Sequence, residues 1–152
     1  MDTRAVTPAR LAHSVLAVPP LARDSHLKID ANENLKLVQH IESGGVSTLL
    51  YGGNAVLYHL RPSEYARLLG MLVDITASET LVIPSVGPAY GTMMDQAEVL
   101  ADFNFPTVMV LPQKEVADPG GIASGIRRFA EVYGRPIMLY LKQDRWLSPA
   151  VV

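Results

Sequence analysis

Five apolar runs separated by four helical stretches constrain this chain more than any other feature. The runs are Ser14–Val18, Thr48–Tyr51, Thr80–Ser85, Thr107–Leu111 and Pro136–Leu141. They are continuously apolar, not alternating, which is how strands buried on both faces read. The unit recurs roughly every 30 residues, a length suited to a βα unit rather than a solenoid repeat. Such alternation points to a parallel sheet with helices outside it. The repeat is uniform and shows no reversal, so the strands are expected to pair in sequential order and to curve as a barrel segment. An order such as 2-1-3-4-5 would instead mark an open, ligand-binding α/β domain.

Turn chemistry sets the element boundaries. Pro19 and Pro20 cannot continue a ladder and end strand one; Leu21–Leu27 reads as a loop. Asp30 and Glu33 resemble a capping box. The helix they open carries Leu37, Val38 and Ile41 on one face and stops at Gly44 and Gly45. Pro62 suits the first turn of the second helix, whose stripe is Tyr65, Leu68, Leu69, Leu72 and Ile75. Thr92 is the expected cap of the third helix, with Met93, Ala97, Leu100 and Ala101 as its apolar face. Pro119 starts the fourth, where Ile122, Ile126, Phe129 and Tyr133 align, and Gly134 ends it.

Composition narrows the function classes. The chain has no cysteine, so disulfides, thiolate catalysis and cysteine metal sites are excluded. A net charge of -2 and a pI near 6.0 offer nothing to nucleic acid or an anionic membrane. Met1–Arg10 carries both charge signs and no apolar core, unlike a signal peptide. No apolar run approaches the ~20 residues of a membrane span. A cytoplasmic protein is expected. Residues 1–12 read as a surface arm or edge helix and residues 13–152 as the domain. His13, His26, His40 and His59 are scattered without metal-ligand spacing, and His59 is either a surface residue or one near a pocket mouth. No Ser/His/Asp arrangement, Walker loop or dinucleotide fingerprint is present. Neither a metal nor an organic cofactor is implied.

The polar and Gly/Pro residues cluster just after the strands: Gly52–Asn54, Ser85–Gly87, Gln113–Lys114, and Tyr140 with Lys142. Parallel α/β folds build their sites from these strand ends. In order and spacing, Ser14 to Lys142 resembles the first half of the dihydrodipicolinate synthase and N-acetylneuraminate lyase superfamily. The features are a Pro-containing end to strand one, the helix end Glu42-Ser43-Gly44-Gly45-Val46, a Gly-rich turn after strand two, the helix entry Leu60-Arg61-Pro62-Ser63-Glu64, Val86-Gly87 after strand three, and Leu139-Tyr140 on strand five. The resemblance implies an α/β fold, the first five βα units of a (β/α)8 TIM barrel, with the C-terminal part outside this chain. It implies a lyase or aldolase that acts on a 2-oxo acid of the pyruvate type through a Schiff base, assembled as a homo-oligomer, dimer or tetramer.

Residue by residue, the resemblance makes Tyr140 the proton relay and lays Gly52-Gly53-Asn54-Ala55-Val56 on the family's Gly-Thr-Thr-Gly-Glu turn, so that Gly53 and Asn54 would hold the substrate carboxylate. Without it, Tyr140 reads as a core tyrosine bonded to a backbone partner, and Gly52–Asn54 as an ordinary turn that can also bind an anion through its N–H groups. Two departures stand out: Gly53 and Asn54 replace the paired threonines, and Gln113–Lys114 follow Pro112 where a tyrosine is usual. The family's Schiff-base lysine lies on strand six, beyond Val152, and this chain alone is expected to be inactive. Lys142 shares a strand face with Tyr140 and could attack a carbonyl if desolvated, although a solvated strand-end lysine is its ordinary reading. Ser85 is a lesser candidate. A barrel that has lost aldolase chemistry and binds or regulates is the alternative, motivated by the missing threonines.

Overall fold

The computed structural model describes residues 1–112, 118–141 and 146–147. Its elements are α1 (Pro8–Leu11), β1 (Leu16–Ala17), α2 (Ala31–Ser43), β2 (Thr48–Tyr51), α3 (Tyr65–Ile75), β3 (Leu81–Val86), α4 (Tyr90–Leu100), β4 (Val108–Val110), α5 (Pro119–Tyr133) and β5 (Ile137–Leu139). Three short 3-10 turns, Gly53–Ala55, Leu57–His59 and Pro62–Glu64, bridge β2 and α3. The sheet order is β1-β2-β3-β4-β5, and every neighbouring pair is parallel. With right-handed crossovers in sequential order, all connecting helices fall on one side of the sheet. Each helix accordingly packs on the next, α2 on α3, α3 on α4 and α4 on α5. These are the first five βα units of a (β/α)8 barrel, and the open order 2-1-3-4-5 is excluded.

The capping chemistry explains most boundaries. Asp30 accepts from the N–H groups of Asn32 and Glu33 and opens α2. Glu33 does not complete the capping box; its carboxylate bonds Lys36 at 2.6 Å instead. Asp118 accepts from Gly121 N at 2.7 Å, Pro119 takes the first turn of α5, and Gly134 closes it at φ 68°. Pro62 starts a 3-10 turn, and α3 itself begins at Tyr65. Thr92 is not a cap: α4 begins at Tyr90 after an extended Ala89, which lies outside the helix and places Thr92 inside the first turn.

The core follows the expected stripes with three changes. β3 is buried throughout, whereas β1 and β5 are half-exposed edges. β1 is also shorter than Ser14–Val18, because Ser14 turns its hydroxyl to the N–H of Ser47 and leaves the ladder. Two buried polar residues interrupt the apolar stripes, Asn34 on α2 and Gln96 on α4, while Ala101 is exposed. Asn34 bonds Ala22 N and O and the Asp30 carbonyl, pinning the loop after β1. The N-terminal residues are anchored: Asp2 N donates to Thr80 O at 2.8 Å, and the buried Asp2 carboxylate pairs with Arg4 and Arg10.

Candidate functional site

Strand register defines the site. Tyr51 pairs with Pro84, Ser85 with Met109, and Met109 with Met138. Gly52 therefore stands opposite Ser85, and one layer runs Gly52, Ser85, Met109, Met138. Tyr140 lies two residues beyond Met138 and shares its face. Contact within the layer is close: a Cβ on Gly52 would meet Met109 Cε at 2.9 Å and Ser85 Oγ at 3.2 Å. Ser85 Oγ is buried and unpartnered, as is the Tyr51 hydroxyl. The Ser85 carbonyl accepts from the buried Tyr65 hydroxyl at 3.1 Å, which fixes α3 to the end of β3. The next turn is held from α4, where Gln96 Oε1 accepts from Gly87 N at 2.7 Å. Gly87 adopts φ 82°, and a Cβ there would lie 3.0 Å from Met93 Cγ.

Tyr140 follows β5 directly, and its N–H donates to Val110 O at 3.4 Å. It is not a core tyrosine: the residue is 39% exposed at the strand end. Gly53 and Asn54 form the first 3-10 turn after β2 and are both exposed. Asn54 Nδ2 donates to Val18 O at 3.3 Å and ties this turn to the end of β1. Lys142, Gln113 and Lys114 lie outside the described residues. Sequence reasoning missed Tyr58, which follows the same turn and is 40% exposed. Burial raises its pKa above the usual phenol value, and the nearby Tyr140 adds to the shift. Its only sequence signal is an aromatic residue in a post-strand turn. Burial likewise pushes Tyr51 up to about 12 and Tyr65 higher still.

The strand ends thus carry an exposed phenol on Tyr140, a second on Tyr58 in the turns after β2, the exposed turn of Gly53 and Asn54, and, beneath them, the buried hydroxyl of Ser85. Phenols positioned in this way can donate or pass protons to a bound oxyanion. No group of three or more His, Asp or Glu that could hold a metal occurs among the described residues. No helix among them is long and apolar enough to cross a membrane.

A sequential parallel sheet with same-side helices and polar strand ends defines a (β/α)8-barrel segment with its site on the C-terminal rim. Solved structures specify that segment further. The chain is similar to a dihydrodipicolinate synthase from Bacillus clausii at 21% identity and a TM-score of 0.80, over 95% of this chain and 50% of that one. It is similar to the 2-keto 3-deoxygluconate aldolase of Picrophilus torridus at 15% identity and a TM-score of 0.74, over 84% and 47% of the two chains. A prophage protein of the dihydrodipicolinic acid synthase family from E. coli K12, in complex with pyruvate, matches at 14% identity and a TM-score of 0.74, over 84% and 44%. At these identities the likeness is one of fold, and the chain spans about half the length of these solved chains. No protein-family model matches the sequence, and no curated protein does.

Proposed function

We propose that this chain forms the first five βα units of a lyase of the aldolase class, acting on a pyruvate-type 2-oxo acid through a Schiff base. The observation that carries the reading is the place of Tyr140, exposed at the end of β5 on the face of Ser85 and Gly52, in a fold shared with a 2-keto 3-deoxygluconate aldolase and a pyruvate-bound protein. A lysine amine from the rest of the barrel attacks the 2-oxo carbonyl, and Tyr140 relays the two amine protons in turn to the carbonyl oxygen, which leaves as water as the C=N bond forms. The imine then takes up the electron pair released when the C–C bond breaks. On this reading Gly53 and Asn54 hold the substrate carboxylate, with Ser85 as a further contact. The protein is taken to be a cytoplasmic homo-oligomer, dimer or tetramer, with no nucleic-acid or membrane partner.

A second reading is a barrel that binds a small molecule without cleaving it. It is favoured by Gly53, which has no side chain, and by Asn54, whose amide is bonded to Val18 O. Borohydride added to the full-length protein with pyruvate separates the two. The lyase reading expects a reduced pyruvate adduct on a lysine, located by peptide mass spectrometry. Absence of any adduct, with pyruvate binding retained, would leave the binding reading.

A further inference from the structure

Beside the Gly53–Ala55 turn lies a cleft of about 460 Å³ between the loop after β1 and the turns that precede α3. Its size falls within the range of small-molecule sites. Arg23, Lys28 and Arg61 bring cationic side chains to it, and His26 and His59 add two imidazoles. In a chain of net charge -2 this is a local reversal of sign. Glu64 is the one carboxylate of the lining, and it is committed to Arg23 at 3.0 Å. That bond holds the Glu64 carboxyl below its usual range, and the charge on Arg61 adds to the effect. Nearby Asp24 is committed to the N–H groups of His26 and Lys28, and Asp30 to those of Asn32 and Glu33. Among the described residues no ion pair uses Lys28 or Arg61.

The backbone around the cleft is also unusual. Leu27 and Val56 both line it, and both sit in the left-handed region, at φ 61° and 55°. That region is costly for a branched side chain such as valine, and such outliers gather at binding and switch sites. Their side chains are 73% and 54% exposed. Arg23 Nη1 donates to the Leu27 carbonyl and so braces one of the two turns. Two cations in no ion pair among the described residues, beside exposed apolar side chains, suit a ligand with a charged head and an apolar body.

We infer that this cleft binds a small organic anion, its phosphate or carboxylate group on Lys28 and Arg61 and its body against Leu27 and Val56. Arginine offers paired N–H donors to such oxyanions, and lysine a point charge. The site is separate from the Tyr140 layer and does not depend on the lyase reading.

The test is calorimetric titration of the full-length protein with phenyl phosphate and with benzoate, with ionic strength held constant by chloride. Saturable binding of either ligand is expected, and the tighter one assigns the head group. Lys28→Ala and Arg61→Ala should each weaken it by about tenfold, the usual scale for a charged hydrogen bond. Leu27→Ser should weaken phenyl phosphate and spare inorganic phosphate. Arg128→Ala, at an exposed position on α5, should change nothing. No saturation by either ligand, or an unchanged affinity in a folded Lys28→Ala/Arg61→Ala double variant, would overturn the inference. Both side chains are exposed, so a thermal melt suffices to check folding.

Discussion

Gly52 and Ser85 meet across β2 and β3 so closely that a Cβ on Gly52 would lie 3.2 Å from Ser85 Oγ. The same Cβ would lie 2.9 Å from Met109 Cε, so the missing side chain is what admits the methionine to this layer. Gly52→Ala should therefore destabilise the protein by about 1 kcal/mol, the low end of overpacking, because Met109 Cε is the free end of a flexible side chain and can turn aside. Urea unfolding measures it. Met109→Ala in the same chain removes the atom in the way, so the double variant should be more stable than the sum of the two losses by about 1 kcal/mol. Strict additivity would show that the contact does not limit packing.

Tyr51 keeps a buried hydroxyl without a partner. Tyr51→Phe should be neutral or stabilising by about 1 kcal/mol at neutral pH, because it deletes an unsatisfied polar group at constant ring volume. Burial pushes this phenol up to about 12 from an ordinary 10.0. A folded-state pKa above the unfolded one gives stability that is complete below pH 10 and lost as pH rises toward 12. The variant should therefore resist alkaline unfolding better than wild type when circular dichroism is followed between those pH values. Tyr65, raised further still, should ionise only with unfolding, which phenolate absorbance reports.

Asp2 carries an opposite pH signature. The Arg4 hydrogen bond, aided by the charge of Arg10, lowers its carboxyl to about 2 from 3.8. A depressed pKa gives stability that is present above pH 3.8 and lost as pH falls toward 2. The partner Arg4 is exposed, so the net value is about 1–2 kcal/mol after solvent screening. Asp2→Asn should cost that amount at pH 7 and nothing at pH 2. Urea midpoints of the two proteins should converge as acid is added, and a constant gap would assign the loss to packing.

Tyr140→Phe tests the relay in the full-length protein. The side chain is partly exposed at a strand end, so the fold should be kept, with stability changed by less than about 0.5 kcal/mol. A positioned acid–base group is worth about 10²–10⁴ in rate, and kcat/KM for the 2-oxo acid should fall by that factor. The yield of trapped imine should form more slowly as well. A kcat/KM within about threefold of wild type, against the expected scale, would remove Tyr140 from the proton path. Tyr58→Phe is then the next variant, because Tyr58 lies in the turns after β2, at the same end of the sheet as Tyr140.

Much of the barrel was legible in local patterns. Thr48–Tyr51 is a strand over those residues, Pro119 and Gly134 bound α5, and the α3 stripe of Leu68, Leu69 and Leu72 is fully buried. These elements follow from apolar periodicity and turn residues, which act over a few positions. Asn34 and Gln96 were not legible. Apolar periodicity passes over both, and each is buried with its side-chain oxygen accepting from a backbone N–H of the adjoining loop, Ala22 for Asn34 and Gly87 for Gln96. Thr92 misled for the opposite reason: a good capping residue lies idle because the chain enters α4 earlier, at Tyr90.

The site divides along the same line. A parallel βα repeat with polar residues after the strands follows from the residues alone, because hydrophobic period and turn chemistry are local properties. The sequence also singled out Tyr140, through resemblance. Only the packed chain leaves Tyr140 exposed at its strand end, buries the Ser85 hydroxyl without a partner against Gly52, and brings Lys28 and Arg61 into one cleft with two left-handed residues. Those relations depend on strand register and on which loops meet at the rim. Register couples residues about 30 positions apart, and no local signal in either segment specifies how they pair.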